Sequence, residues 1–117
     1  MADWVSEYYD DVDNMRLDEW VAHHTDDAVV TFANNPPARG KEEIAQNIGQ
    51  FWSMIGGLQH NIVNRWDVDG TTILEVDVDY TRADGNHVHV PCTSFLHRSG
   101  DLVDELRVYI DLAPVFA

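Results

Sequence analysis

Residues 59–112 read QHNIVNRWDVDGTTILEVDVDYTRADGNHVHVPCTSFLHRSGDLVDELRVYIDL, and this stretch decides the fold. It divides into runs in which apolar and polar residues alternate as they do in β-strands, at about 59–68, 72–82, 86–97 and 102–112. The joins between the runs consist of residues typical of tight turns, namely Asp69-Gly70, Asp84-Gly85 and Gly100-Asp101. The pattern therefore predicts four consecutive antiparallel strands.

The sequence before these strands predicts three helices and one short strand. The apolar spacing of helices is found at about 4–13, at 17–24, and from Gly40 to a stop at Gly56-Gly57. Residues 28–33 are a short apolar run, and the Asn34-Asn35-Pro36-Pro37 segment that follows is a loop. The order of elements indicates an α+β domain with helices on one face of a strongly curved sheet.

Composition limits the possible partners. The chain of 117 residues has 21 acidic residues against seven Lys and Arg, a formal charge of −14, and its length predicts one domain, 1–117. Nucleic acid and anionic membranes carry charge of the same sign, so neither is expected as a partner. The acidic bias suits either a salt-adapted host or simply a well-hydrated surface. The single Cys92 and the absence of a leader-like or bilayer-spanning run favour a cytoplasmic protein.

The last strand carries the first candidate site. Alternation places Arg107, Tyr109 and Asp111 on one side of it, opposite the apolar residues. If the polar side faces an enclosed cavity, Asp111 is a desolvated carboxylate beside a phenol and a guanidinium, an arrangement that tunes a general base or acid. If that side faces water, it is only an acidic rim.

Further residues fall at places that a known fold family shares. They are Tyr8-Tyr9, Asp13, Trp20, 25–29, 36–40 and 107–112. Together with the order of elements, they resemble the nuclear transport factor 2-like superfamily of cone-shaped α+β folds, and within it the SnoaL-like group. The resemblance covers nearly the whole chain and implies a homodimer through the outer face of the sheet. Because the superfamily hosts isomerases, hydrolases, dehydratases, cyclases and proteins without chemistry, it does not specify a reaction.

Within this superfamily the chain is similar to the limonene epoxide hydrolases. The resemblance places Asp111 on their catalytic base and Asp77 on their second aspartate, whereas Glu75 stands where they have an arginine. Two carboxylates that meet in a dry cavity cannot both stay ionised cheaply, so one becomes an acid and the other a base. The alternative is that Glu75, Asp77 and Asp79 form an outward row while the residues between them face the core.

Several other polar residues are candidates. His60 follows the long helix at the expected mouth of the cone, where it is either a proton donor to a substrate oxygen or a hydrogen-bonded strand-edge residue. Tyr9 could donate a hydrogen bond from its phenol or be an ordinary buried tyrosine. His87 and His89 are two apart on a strand, a spacing that can hold a metal, but no third ligand is evident and no metal is expected.

These observations favour a cofactor-independent enzyme of isomerase, hydrolase or cyclase type that acts on a small, mostly apolar carbonyl or epoxide. Asp111 is the expected general base and Asp77 its partner acid or orienter, with His60 or Tyr9 as donor to the developing oxyanion. The residues expected to bind the substrate are Tyr109, Arg107, Trp52, Trp66 and Phe32. The alternative is a non-catalytic module of the same fold that binds a small ligand or assembles as a dimer.

Overall fold

The computed structural model describes residues 3–117, which form four helices and six strands. In chain order they are α1 (Trp4–Asp13), α2 (Leu17–Val21), β1 (His24–Phe32), β2 (Ala38–Arg39), α3 (Gly40–Trp52), β3 (Gly57–Val68), β4 (Thr71–Thr81), β5 (His87–Ser99), β6 (Leu102–Ile110) and α4 (Ala113–Phe116). All six strands belong to one sheet in the order β2-β1-β6-β5-β4-β3. The predicted α+β fold with a curved, mostly antiparallel sheet is confirmed, and the sheet is not closed into a barrel.

Strands β3 to β6 are consecutive antiparallel neighbours, as the turn sequences predict. β1 joins the far side of β6 in parallel, and β2 adds an antiparallel partner to β1. The parallel pairing was not predicted, because it depends on contacts between distant segments rather than on a turn. The long helix α3, which follows β2, packs against β1.

Three element boundaries differ from the prediction. The second helix stops at Val21, and His24 begins β1, where it pairs with Val103 of β6. β2 has two residues, which is too short to produce a periodic pattern. The last strand ends at Ile110 instead of continuing to Leu112, and the short helix α4, with Pro114 in its first turn, follows it.

The core lies between the helices and the inner face of the sheet, and β4 shows how alternation defines that face. Leu74, Val76, Val78 and Tyr80 are buried, whereas the acidic residues between them point outward. The free edge strand β3 behaves differently, since it is exposed from Asn61 to its end and has an irregular register between Ile62 and Asn64. None of the helices within residues 3–117 combines the length and the apolar composition that a membrane crossing needs.

Candidate functional site

A narrow cavity opens between the helices and the inner face of the sheet. Its volume is about 50 Å³, which leaves room for a few water molecules. Most of its wall is apolar and comes from α1, α3 and the inward residues of the strands. The polar side chains in the wall are those of Tyr8, Tyr9, His60, Tyr80, Cys92 and Ser94. A small apolar space with a few converging polar groups is the usual form of a ligand or reaction site.

His60, in the wall of this inner cavity, is paired with the carboxylate of Asp13. The Nδ1 atom of His60 lies 2.7 Å from Oδ1 of Asp13, and the backbone N–H of His60 donates to both carboxylate oxygens at 3.1 Å. The two side chains are only 11% and 12% exposed. Because a carboxylate accepts hydrogen bonds, Nδ1 carries a proton, and in the neutral form of the ring Nε2 is the acceptor. Nε2 has no hydrogen-bond partner within residues 3–117 and is therefore available to a ligand.

Two phenols lie beside this pair in the cavity wall, and that of Tyr9 is next to the Ser94 hydroxyl. The ring of Tyr9 lies against that of His60, with centroids 4.7 Å apart. Burial raises the pKa of the Tyr9 phenol well above its usual range, and burial likewise raises the pKa of Tyr80. Both hydroxyls therefore keep their protons at neutral pH and can donate a hydrogen bond to an oxygen that develops negative charge.

The third phenol in the wall is already engaged. The Tyr8 hydroxyl donates to Nε2 of His24 at 2.9 Å, and Nδ1–H of His24 donates to the carbonyl oxygen of Val21 at 3.2 Å. Both rings are fully buried, and burial lowers the pKa of His24 to about 4. This neutral pair, with Tyr8 in the cavity wall and His24 behind it, is a structural support rather than a group that reacts.

A second, wider cavity lies beside the first, and we refer to it as the vestibule. Its volume is about 620 Å³, within the usual range for small-molecule sites. Val30, Phe32, Ile48 and Phe51 line both cavities and so form the partition between them. Within this partition the ring centroids of Phe32 and Phe51 are 4.9 Å apart. The remaining walls of the vestibule come from the loop 34–37, one side of α3, Leu112 and Phe116.

Four of the nine residues predicted for the site line the inner cavity: His60, Tyr9, Trp52 and Phe32. The expectation that Asp77 and Asp111 meet in an enclosed cavity is wrong. Asp77 lies on the outward side of β4, where its carboxylate accepts from Nδ1 of His89 at 2.8 Å. Asp111 lies beyond the end of β6, exposed, and its carboxylate accepts the backbone N–H of Ala113 at 3.0 Å.

The predicted polar face of the last strand also points outward. Leu106 and Val108 of β6 line the inner cavity, so Arg107 and Tyr109 between and after them lie on the outer face. Tyr109 is 55% exposed, and Arg107 pairs with Glu105 at 2.9 Å. Burying the apolar side of the strand is favourable, whereas burying the Arg107 guanidinium would cost free energy. This difference decides which side of β6 faces the cavity.

Trp66 is likewise outside the cavity, 49% exposed on β3. His87 and His89 do not converge on a common point, since each imidazole pairs with a different carboxylate, that of Asp79 at 3.0 Å or that of Asp77 at 2.8 Å. In the part of the chain that the structure describes, no three His, Cys, Asp or Glu side chains are placed to hold a metal ion.

The sequence analysis missed Asp13 as a partner of His60. One local signal points to it: Asp13 is the last residue of α1, where the negative end of the helix dipole disfavours a carboxylate. A residue that contradicts its local setting usually has a tertiary partner, and here the partner is the His60 backbone and ring. No local signal points to Ser94 or Tyr80. They reach the cavity because their positions in β5 and β4 fall on the inward side of the alternating pattern.

Comparison with known proteins gives one family match. A family model described as a SnoaL-like domain matches residues 5–106. No curated protein matches the sequence.

Several solved structures share the fold. A hypothetical protein with a ketosteroid isomerase-like fold from Catenulispora acidiphila, in complex with trimethylamine, has a TM-score of 0.87 at 14% identity, and the alignment covers 98% of this chain and 90% of that one. A putative SnoaL-like polyketide cyclase from Shewanella putrefaciens has a TM-score of 0.83 at 12% identity, and the alignment covers 97% of this chain and 80% of that one. An LEH-like epoxide hydrolase from M. tuberculosis has a TM-score of 0.78 at 16% identity, and the alignment covers 97% of this chain and 84% of that one.

Proposed function

The chain belongs to the SnoaL-like domain family, and from this premise we propose that it is a cofactor-independent enzyme that moves a proton on a small, mostly apolar carbonyl compound. Such a reaction is the first step of both isomerase and cyclase chemistry. The observation that carries the proposal is the contact between His60 and Asp13 at the wall of the inner cavity. An oriented imidazole with a free nitrogen in a mostly apolar space is suited to general acid–base catalysis.

In the proposed step, Nε2 of His60 takes a proton from the carbon next to the substrate carbonyl. The electron pair of that C–H bond forms the enolate, whose negative charge lies mainly on oxygen. The imidazolium formed at His60 is stabilised by the carboxylate of Asp13, which acts as a positioning residue. Return of the proton to the same carbon gives exchange with solvent, and return to another carbon gives isomerisation.

The enolate oxygen needs a hydrogen-bond donor, and Tyr9 supplies it. Its ring packs on that of His60, so a carbonyl beside the base is close to the phenol. A donor fixed in place before the reaction lowers the barrier most effectively in a site with little water, which the apolar wall provides. Tyr80 is the second phenol in the same wall.

The inner cavity holds only a few water-sized volumes, so the reacting end of the substrate enters it and the rest occupies the vestibule. Phe32 and Phe51 must shift to join the two spaces. Rotation of aromatic side chains at such a partition is a small conformational change of the kind that admits ligands to enclosed sites.

The test uses proton exchange and does not require the natural substrate. Cyclohexanone, acetophenone and 2-indanone are incubated with the protein in D₂O, and loss of the signals next to the carbonyl is followed by ¹H NMR. We expect exchange above the buffer rate for at least one ketone, and a fall of about 10²-fold or more in His60→Gln, the usual contribution of a general base. Asp13→Asn should reduce exchange by about 10- to 100-fold while leaving the unfolding transition in place.

Asp111→Asn is the matched control, because it makes the same change at a carboxylate outside the cavity. It should exchange as the wild type does. Equal loss in Asp111→Asn and Asp13→Asn would contradict the assigned site. A ketone that binds, shown by shifts of protein signals, but does not exchange would instead identify a non-catalytic ligand-binding protein of this fold.

We also propose that two copies associate through the outer face of the sheet. That face carries exposed apolar side chains, among them Val63, Trp66 and Tyr109, which favour contact with a partner. Light scattering coupled to size exclusion should give twice the mass of one chain, and Trp66→Lys with Val63→Lys should give a monomer. A monomeric wild type at micromolar concentration would exclude this assembly.

A further inference from the structure

The vestibule has an apolar floor and polar walls. Its floor is the partition described above, and Leu112 and Phe116 extend the apolar surface on one side. One side of α3 adds Glu43, Asn47 and Gln50 to the walls, and these residues recur at intervals of four and three and so share one side of the helix. A molecule that lies on the floor therefore meets hydrogen-bonding groups along its edge.

The amides in these walls are free to bind. The side chains of Asn34, Asn47 and Gln50 have no hydrogen-bond partner within residues 3–117, whereas that of Asn35 donates to the carbonyl oxygen of Phe32 at 3.0 Å. A free side-chain amide offers both donors and an acceptor. Such groups match a neutral hydroxyl or amide substituent, which both donates and accepts, or an ester, which accepts, and none of these carries a charge.

The charge in the vestibule has one sign. Glu43 is the only ionisable residue among the described residues that line it. Its carboxylate accepts the backbone N–H of Arg39 at 2.9 Å, so it remains at the start of α3. That position would otherwise attract an anion, because the first turn of a helix has free N–H groups and the positive end of the dipole. The carboxylate occupies it instead, in a chain whose formal charge is −14.

We infer that the vestibule is a second subsite, which takes a neutral hydrogen-bonding substituent of the ligand and rejects an anionic one. The inference rests on the proposed function in one respect, that the other end of the ligand is the one that enters the inner cavity. Glu43 is the residue that determines this specificity, through repulsion of a carboxylate or phosphate on the ligand. Asn47 and Gln50 supply the favourable contacts.

The experiment compares 3-phenylpropanamide with 3-phenylpropanoate, which share the ring and chain and differ in the charge of the terminal group. Binding is measured by ¹⁵N-¹H NMR titration of the full chain at pH 7.5, with the side-chain amide signals of Asn47 and Gln50 as reporters. We expect the amide to move these signals and to bind about tenfold more tightly than the carboxylate, which is the effect of a like charge at about 12 Å when the effective dielectric constant is about 20.

Glu43→Gln should reduce the preference for the amide to about threefold or less, and it keeps an oxygen to accept the Arg39 N–H. Glu42→Gln is the matched control, since it removes the same charge from the next position of α3 but does not line the vestibule. Equal affinity for the two compounds in the wild type would overturn the inference. Equal effects of Glu42→Gln and Glu43→Gln would also overturn it, because the preference would then reflect overall charge.

The same titrations in His60→Gln separate this inference from the proposed function. The vestibule contains no atom of His60, so the preference for the amide should persist in this variant. Exchange that fails while the preference holds would reject only the proton-transfer chemistry. Exchange that holds while the preference is absent would reject only the subsite.

Discussion

Replacing His24 with glutamine should remove a large part of the protein's sensitivity to acid. In the folded chain His24 is fully buried and neutral, since its Nε2 accepts the Tyr8 hydroxyl and its burial lowers its pKa to about 4. In the unfolded chain its pKa returns to about 6.5. Below pH 6.5 the unfolded state therefore binds a proton that the folded state does not, and the free energy of unfolding falls as the pH falls.

The size of this effect follows from the two pKa values. One pKa unit corresponds to about 1.4 kcal/mol, so the total loss between pH 8 and pH 3 is about 3 kcal/mol. About 2 kcal/mol of it is lost between pH 7.5 and pH 5, a range in which most of the acidic residues stay ionised. This is a large share of the usual stability of a small domain.

The assay is urea unfolding followed by tryptophan fluorescence, at pH 7.5, 6 and 5, for the wild type and His24→Gln. Glutamine is neutral and keeps an acceptor for Tyr8, so its own effect on stability does not depend on pH. The advantage of the wild type over the variant should shrink by about 2 kcal/mol from pH 7.5 to pH 5. A difference that stays constant within about 0.5 kcal/mol would refute the reasoning. If the variant does not fold, ¹⁵N NMR of wild-type His24 at pH 5 provides the test, since a doubly protonated ring would contradict a neutral buried histidine.

Three shorter predictions test other parts of the structure. Tyr8→Phe removes the donor to His24 and leaves a buried acceptor unpaired, so urea unfolding should show a loss of about 1–3 kcal/mol. Asp77→Asn should lower the pKa of His89 in an NMR titration, because the hydrogen bond from the imidazole to that carboxylate raises it, and an unchanged value would mean that the pair does not form in solution. Leu74→Ala at the buried centre of β4 should cost about 2–5 kcal/mol in the same urea assay, and a cost below about 1 kcal/mol would show that the core around it collapses into the space.

The fold could be predicted from the sequence because its signals are local. The Asp-Gly and Gly-Asp turns fix the hairpins from β3 to β6, and apolar spacing fixes α1 and α3. The parallel pairing of β1 with β6 could not be predicted, since the two strands are separated by most of the chain. The early end of the second helix at Val21 follows from the pairing of His24 with Val103, which is also a long-range contact.

The candidate site was only partly predictable, because the sequence does not show directly which side of a strand points into the core. Alternation along β6 correctly separates Arg107 and Tyr109 from the residues between them, but it does not say which side faces the helices. The energetics of burial decide that question, and they place Leu106 and Val108 inside. His60 was found because its position depends on the end of a helix, and Tyr9 because the Tyr8-Tyr9 pair lies in the first predicted helix. Asp13 was missed as the partner of His60 because no short-range pattern connects it to a residue 47 positions away.

The open edge of the sheet leaves free the backbone amide on which the histidine–carboxylate pair depends. An unpaired strand presents backbone amides that can recruit a foreign strand, and natural proteins usually block them. On β3, the amide of His60 has no neighbouring strand and donates to Asp13 at the end of α1. In a closed barrel the His60 amide would donate to the next strand, and it would not be free to bind the Asp13 carboxylate. The two carboxylate oxygens of Asp13 thus occupy an edge amide that could otherwise pair with a foreign strand, and one of them also orients the His60 imidazole. Asp13→Asn variants should therefore be examined for aggregation as well as for exchange.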